Sequence, residues 1–407
     1  MSGALSQIRV LDLTRVLAGP WASQMLGDLG AEVIKIERPG CGDDTRAWGP
    51  PFLRDDAGQP TAESAYFQCM NRNKKSVTID MAHPQGQRLL RDLAARADVL
   101  IENFKVGGLQ QYGLDAATLR AAHPGLIYCS ITGFGQTGPY APRAGYDVLV
   151  QGMGGMMSLT GRADDEPGGG PQKTGVALTD IMTGLYATSA ILAALLHRQA
   201  TGQGQAIDMA LLDVQVAALA NQAASYLATG EVPRRLGNAH PSIVPYEDVP
   251  TQDGFMIIGA GNDGQFARLC AAIGRPEWAS DDRFRTNERR VAHRATLMPL
   301  LCAITSTRPT RAWVAALEEA GVPCGPINTL REVFEDPQVR ARGLAVPMRH
   351  PVGADVTLVA SPLRLSETPV AYRSAPPLLG ADTRAVLGGL LGLDAAALDQ
   401  LAAGGVI

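Results

Sequence analysis

The sequence predicts an α/β fold on a Rossmann-like sheet, and two observations carry that expectation. Strand candidates recur along the first half of the chain, each followed by a polar or glycine-bearing loop and then a helix. The first unit is compact: Ile8–Leu13 and Glu32–Glu37 read as strands around a helix over Trp21–Leu29, with Pro20 in its first turn and Gly30 as its stop. At 407 residues the chain is too long for one ordinary core, so two domains are expected.

The opening β-α-β unit lacks a GxGxxG turn, which argues against a dinucleotide there. Arg38 stands just past the second strand, where open α/β sheets bind ligands, and Arg46 and Trp48 follow in a Gly/Pro-rich loop. Asn71–Lys75 carries three cations, Arg72 among them, and reads as a solvated turn or a phosphate rim before the strand Ser76–Ile79. His83-Pro84 starts a helix to Ala97. Asp98–Glu102 and Leu126–Ile131 are further strands, running into Asn103-Phe104 and the loop Thr132–Pro139. Lys173–Leu185 opens a long helix, Ile181–Gln199, apolar on nearly every side and therefore expected in a core. Thr179 and Asp180 are N-cap residue types, and the Asp180 carboxylate is expected to be held ionised by the helix dipole and free backbone N–H groups. Gly184, one turn on, leaves room for a close neighbour.

Beyond this helix come a strand over Gln205–Met209, an Ala-rich helix to about Leu227, and a linker over Gly230–Gly237. Hairpin-like strands over Pro245–Gly264, charged helices over 282–320 and a final return to strands and an Ala/Leu helix complete the chain. Gly259–Gly264 is a literal GxGxxG, but no acidic residue ends a following strand, so Asn262-Asp263 is read as a helix cap.

Composition excludes several classes. A net charge of −4 gives no basic excess for nucleic acid. Met1–Gln7 has neither the basic head nor the apolar run of a secretion signal, and Ile181–Leu196 is short and broken for a membrane span. The six cysteines are far apart and form no CxxC pair, which suits buried thiols and a cytoplasmic location. His83, His123, His240 and His350 each precede proline, and no histidine spacing points to a metal.

Val10–Thr14, Ala18–Pro20, Gly30–Glu37, Asn73-Lys74, Glu102–Phe104, Gly175–Gly184, Thr201–Gln205, Pro323–Pro326 and Pro377–Gly380 together resemble the class III CoA-transferases, the family of formyl-CoA transferase and carnitine CoA-transferase. The resemblance implies an interlocked homodimer of subunits. Each has a large Rossmann-like domain built from both chain ends and a small α+β middle domain. The implied boundaries are 1–212 for the first part of the large domain and 213–236 for a linker helix. The small domain then covers 237–300, and 301–407 is the return. It implies a CoA thioester as co-substrate, no permanently bound cofactor, and Asp180 as the residue that carries the acyl group. Val16, Ala18, Arg38, Ile79, Asp80, Asn103 and Phe104 match CoA-binding positions.

Leu17 stands where formyl-CoA transferase has Gln, while Gln111, Thr132 and Phe134 replace Arg, Lys and Tyr at positions near CoA or the acyl group. These changes point away from formyl and oxalate. Gly42–Pro51, Gly237–Pro241 and Pro245-Tyr246 look closer to members that use succinyl-CoA with acceptors such as hydroxymethylglutarate, itaconate or a sulfur analogue. Arg46, Arg72 and His240 are candidates for gripping the remote carboxylate of a succinyl group. Two alternatives share the fold: an α-methylacyl-CoA racemase and a non-catalytic CoA-binding protein. The racemase needs His where Gly145-Tyr146-Asp147 has Tyr, a poor base at neutral pH with its ordinary pKa near ~10. The non-catalytic reading is opposed by the presence of Asp180 and its glycines.

Overall fold

The computed structural model describes residues 3–353 and 355–407, which divide into two compact units. The first comprises Met1–Gly155, Thr174–Ala223 and Arg340–Ile407. Its centre is a parallel sheet of β1 (Arg9–Asp12), β2 (Glu32–Glu37), β3 (Lys74–Thr78), β4 (Val99–Glu102), β5 (Ile127–Thr132) and β6 (Ala206–Ala210), in the order β3-β2-β1-β4-β5-β6. Strand order therefore reverses between β1 and β4, the place where doubly wound sheets open a crevice. The inner strands β1, β2, β4 and β5 are largely buried, with apolar residues on both faces. Successive residues go to opposite sides. Leu11, Ile34 and Leu100 join one apolar cluster with Leu90, Leu93 and Leu387, while Val10, Val33 and Ile101 join another with Leu26 and Ile191.

Helix α1 (Ala18–Asp28) follows β1, α2 (Pro84–Ala94) follows β3, and α3 (Asp147–Met153) precedes the long α4 (Leu178–Thr201). α4 would suffice by length and composition to cross a membrane, but half of its most apolar window is buried within the protein. Its exposure meets the sequence expectation only in part: Ile191 and Leu195 are in the core, but the rest of the buried face is small or polar. Thr179, Asp180, Thr183, Gly184, Ala187 and Thr188 are buried, whereas Leu185, Tyr186, Leu192 and Leu196 are exposed. Small side chains let α4 approach α1 closely. A Cβ on Gly184 would lie 2.8 Å from the Ala18 carbonyl oxygen and 3.0 Å from Trp21 Cβ, so the room left by this glycine is filled by α1. The expected single Ala-rich helix is two, α5 (Leu211–Ala217) and α6 (Ala220–Thr229), separated at Ala220, whose φ is 43°.

The second unit, Met156–Lys173 with Ala224–Val339, extends well beyond 237–300. Leu301, Trp313, Leu317 and Val322 complete one apolar cluster with Val249, Met256 and Ile258 of its antiparallel sheet, which binds these later helices to the hairpin. At the end of Phe255–Gly259, Asn262 caps the helix Asp263–Ala272 by accepting from Gln265 N at 2.9 Å. The GxGxxG is thus a capped junction after an antiparallel strand, not a βαβ turn.

Candidate active-site cleft

The loops after β1 to β5 surround a cleft of about 1120 Å³ in the first unit. Beneath it lies a layer of buried ion pairs. Asp12, at the end of β1, accepts from Thr14 N at 2.9 Å and meets Lys74 Nζ at 3.1 Å. Lys35 Nζ meets Asp43 Oδ2 at 2.8 Å. Burial pushes the Asp12 carboxyl up, but Lys74, Lys35 and the Ser23 and Thr14 hydroxyls outweigh it and hold the group at about 2. These fixed charges shape the loop above them. Val16, a β-branched residue at φ 70°, is a strained position held by a hydrogen bond from its N–H to Asp43 Oδ1 at 3.2 Å. Asn103 clamps the preceding residue from both sides: it accepts from Arg15 N at 3.0 Å and donates to Arg15 O at 2.8 Å.

Asp180 lines this cleft from the first turn of α4 and is 9% exposed. The cap differs from the expected one. Ala177 is the N-cap residue and offers no side-chain bond; Asp147 Oδ1 instead accepts from Thr179 N at 2.9 Å and Asp180 N at 3.3 Å. Its other oxygen receives Gln151 Nε2 at 2.7 Å. Because Asp147 takes those amides, they do not stabilise the Asp180 side chain. Burial, then the neighbouring Asp147 charge, push the Asp180 carboxyl up to about 7, so it is not held ionised as the sequence implied. Gly133 and Gly145 make the arrangement possible: a Cβ on Gly133 would lie 2.5 Å from Gly145 Cα, so only glycines let the Tyr146-Asp147 loop cross the end of β5.

Val16, Ala18, Arg38, Ile79, Asp80, Asn103, Phe104, Thr132 and Tyr146 line the same cleft as Asp180. Four predicted residues are not part of this lining. Arg46 is buried in a two-pronged pair with Glu37, at 2.8 Å for each bond, with its guanidinium over Phe67. Arg72 is paired with Asp28 at 2.9 and 2.6 Å and donates to Val359 O. Breaking either buried pair costs about 3–5 kcal/mol, so both arginines serve the fold and have no free fork for a ligand. Phe134 is 8% exposed and packs edge-on against Tyr140. His240 belongs to the second unit, where its Nδ1 accepts from Ser242 N at 3.1 Å. Sequence reasoning missed Asp147 as the cap of α4 and the cleft cations Lys105 and Arg143. Asp147 was visible only as the end of a Gly-Tyr-Asp triplet, since a cap supplied 33 residues upstream leaves no local pattern. No cluster able to hold a metal is present among the described residues.

A family model, CoA-transferase family III, matches residues 5–383. The chain is 54% identical over 383 residues to a succinate–glutarate CoA-transferase of Agrobacterium fabrum, covering 94% of each. It is 43% identical over 403 residues to a human succinyl-CoA:glutarate CoA-transferase, covering 99% of this chain and 90% of that one. The crystal structure of a CAIB/BAIF family protein from Brucella suis superposes with a TM-score of 0.85 at 50% identity, over 96% of this chain and 100% of that one.

Proposed function

The chain belongs to CoA-transferase family III and is a CoA-transferase, and on that premise we propose that it moves CoA between succinate and glutarate through a covalent intermediate on Asp180. The observation that carries the reading is the carboxylate itself: buried in the first turn of a helix whose backbone Asp147 caps, and lining a cleft of about 1120 Å³. The likeness to succinate–glutarate enzymes supports the choice of acids.

In the proposed sequence the ionised Asp180 attacks the thioester carbonyl of succinyl-CoA, forming a mixed anhydride as the C–S bond breaks and CoA leaves as thiolate. The thiolate attacks the aspartyl carbonyl, releasing succinate and leaving an aspartyl-CoA thioester. Glutarate then attacks that thioester, and the thiolate returns to the glutaryl carbonyl. One thioester is exchanged for another, so no energy source is needed. Burial supports the step by stripping water from the nucleophile and from the anhydride. Leu17 has no side-chain donor for the oxyanion. The first-turn amides of α1 lack intrahelical acceptors, and Ala18, which lines the cleft, supplies one.

Arg38 and Lys105, which have no ion-pair partner among the described residues, and Arg15, paired with Asp44 at 3.1 Å, form the cationic rim proposed for the CoA phosphates. The exposed apolar residues of α3 and α4, Val148, Leu149, Leu185, Tyr186 and Leu196, are the surface proposed to be covered by a second subunit. A folded, active monomer in sizing experiments contradicts that assembly.

A panel of donors and acceptors tests the function. Succinyl-CoA with glutarate is expected to give glutaryl-CoA, seen by mass spectrometry, with a kcat/KM far above that of acetyl-CoA. Equal kcat/KM for the two donors removes the dicarboxylate reading. Tyr146, 63% exposed, is expected to give no α-deuterium exchange into a 2-methylacyl-CoA.

A further inference from the structure

Arg143 lines the Asp180 cleft on the short loop that leads to Asp147. Its guanidinium lies 4.7 Å from the centroid of the Tyr140 ring and 5.4 Å from that of Phe134, and those rings pack edge-on at 5.6 Å. It has no carboxylate partner among the described residues, unlike Arg15, Arg46 and Arg72, which are paired with Asp44, Glu37 and Asp28. Contact with ring faces orders a guanidinium without consuming its N–H edge, so Arg143 presents a positioned, unspent fork. Its loop is pinned where Gly145 meets Gly133 at the end of β5.

Position separates this cation from the others around the cleft. Arg15, Arg38 and Lys105 follow β1, β2 and β4. α4, which carries Asp180, packs against α1, β5 and β6, and Arg143 is the cleft cation on the β5 side. We infer that Arg143 binds the distal carboxylate of the dicarboxylic acid whose other carboxyl reacts at Asp180, which makes it a specificity-determining residue. This rests on the function proposed above. In an exchange that runs forward and back through the same aspartyl centre, the donor acyl group and the acceptor occupy one place in turn, so a single guanidinium serves both acids.

The test compares wild type with Arg143→Gln and Arg143→Lys, using succinyl-CoA and glutarate for turnover and free CoA for calorimetry. Loss of one bidentate charged contact predicts a rise in KM for glutarate of about 30-fold or more in Arg143→Gln. The Lys variant, which keeps charge but loses the fork, falls between. The Kd for CoA stays within about 2-fold, since the carboxylate contact is not made to CoA, and the melting temperature falls by no more than a few degrees, the share of the Tyr140 and Phe134 ring contacts. A weakened CoA Kd with unchanged glutarate KM assigns Arg143 to a phosphate and overturns the inference. Unaltered KM in both variants overturns it as well. Failure of the wild type itself to transfer CoA from succinyl-CoA to glutarate is a different result, and sinks the proposed function.

Discussion

Asp180→Asn is expected to lower kcat for succinyl-CoA and glutarate by about 10⁴-fold or more, because an amide cannot form the acyl anhydride. The substitution is nearly isosteric, and the cap of α4 survives it, since Asp147 binds the backbone N–H groups of residues 179 and 180 and not the Asp180 side chain. CoA affinity and melting behaviour at acid pH should therefore match wild type. Substantial activity in the Asn variant, with deamidation excluded by peptide mass, removes Asp180 from the reaction.

The same variant should be more stable than wild type at alkaline pH and equal to it in acid. An aspartate in the unfolded chain titrates near ~3.9, whereas burial and Asp147 raise Asp180 to about 7 in the fold. Between those values the folded protein holds a proton that the unfolded chain has released, so rising pH favours unfolding. The penalty is absent below the unfolded value, grows through the window, and is complete above the folded one. It reaches up to roughly 4 kcal/mol for a shift of this size. Asn carries no such charge. The difference in melting temperature between Asn variant and wild type should open from near zero at about pH 4 to its maximum above about pH 8. Asp147→Asn removes the smaller, Coulombic cause and should narrow that gap. A difference that is constant with pH, or that reverses, contradicts the raised carboxyl.

What was legible in the sequence follows from how local the signal is. β1, β2 and β4 were placed within a residue or two because strands covered on both faces concentrate Val, Ile and Leu in short runs between turn residues. The head of α4 and the importance of Asp180 were visible in the Gly175–Gly184 stretch. The side of α4 that is buried was not, because its apolar residues surround the helix and the buried face is set by small residues matched to α1. Arg46 and Arg72 read as ligand groups because nothing nearby in sequence announces Asp28, 44 residues from Arg72, or the two-pronged grip of Glu37. A spare cation and a spent one have the same letter; Arg143 is distinguished only by its ring contacts and missing carboxylate.

In the proposed mechanism the oxygen atoms of Asp180 enter the reaction. Turnover with glutarate labelled in its carboxylates with oxygen-18, followed by proteolysis and mass measurement, tests it directly. In the anhydride sequence glutarate leaves one of its carboxylate oxygens on the aspartate when it departs as glutaryl-CoA, and the next donor carries label away in succinate. One heavy oxygen is expected on the peptide containing Asp180 after a single turnover. Label that passes from glutarate to succinate without ever appearing on that peptide means that the two acids exchange CoA directly, and contradicts a covalent role for Asp180.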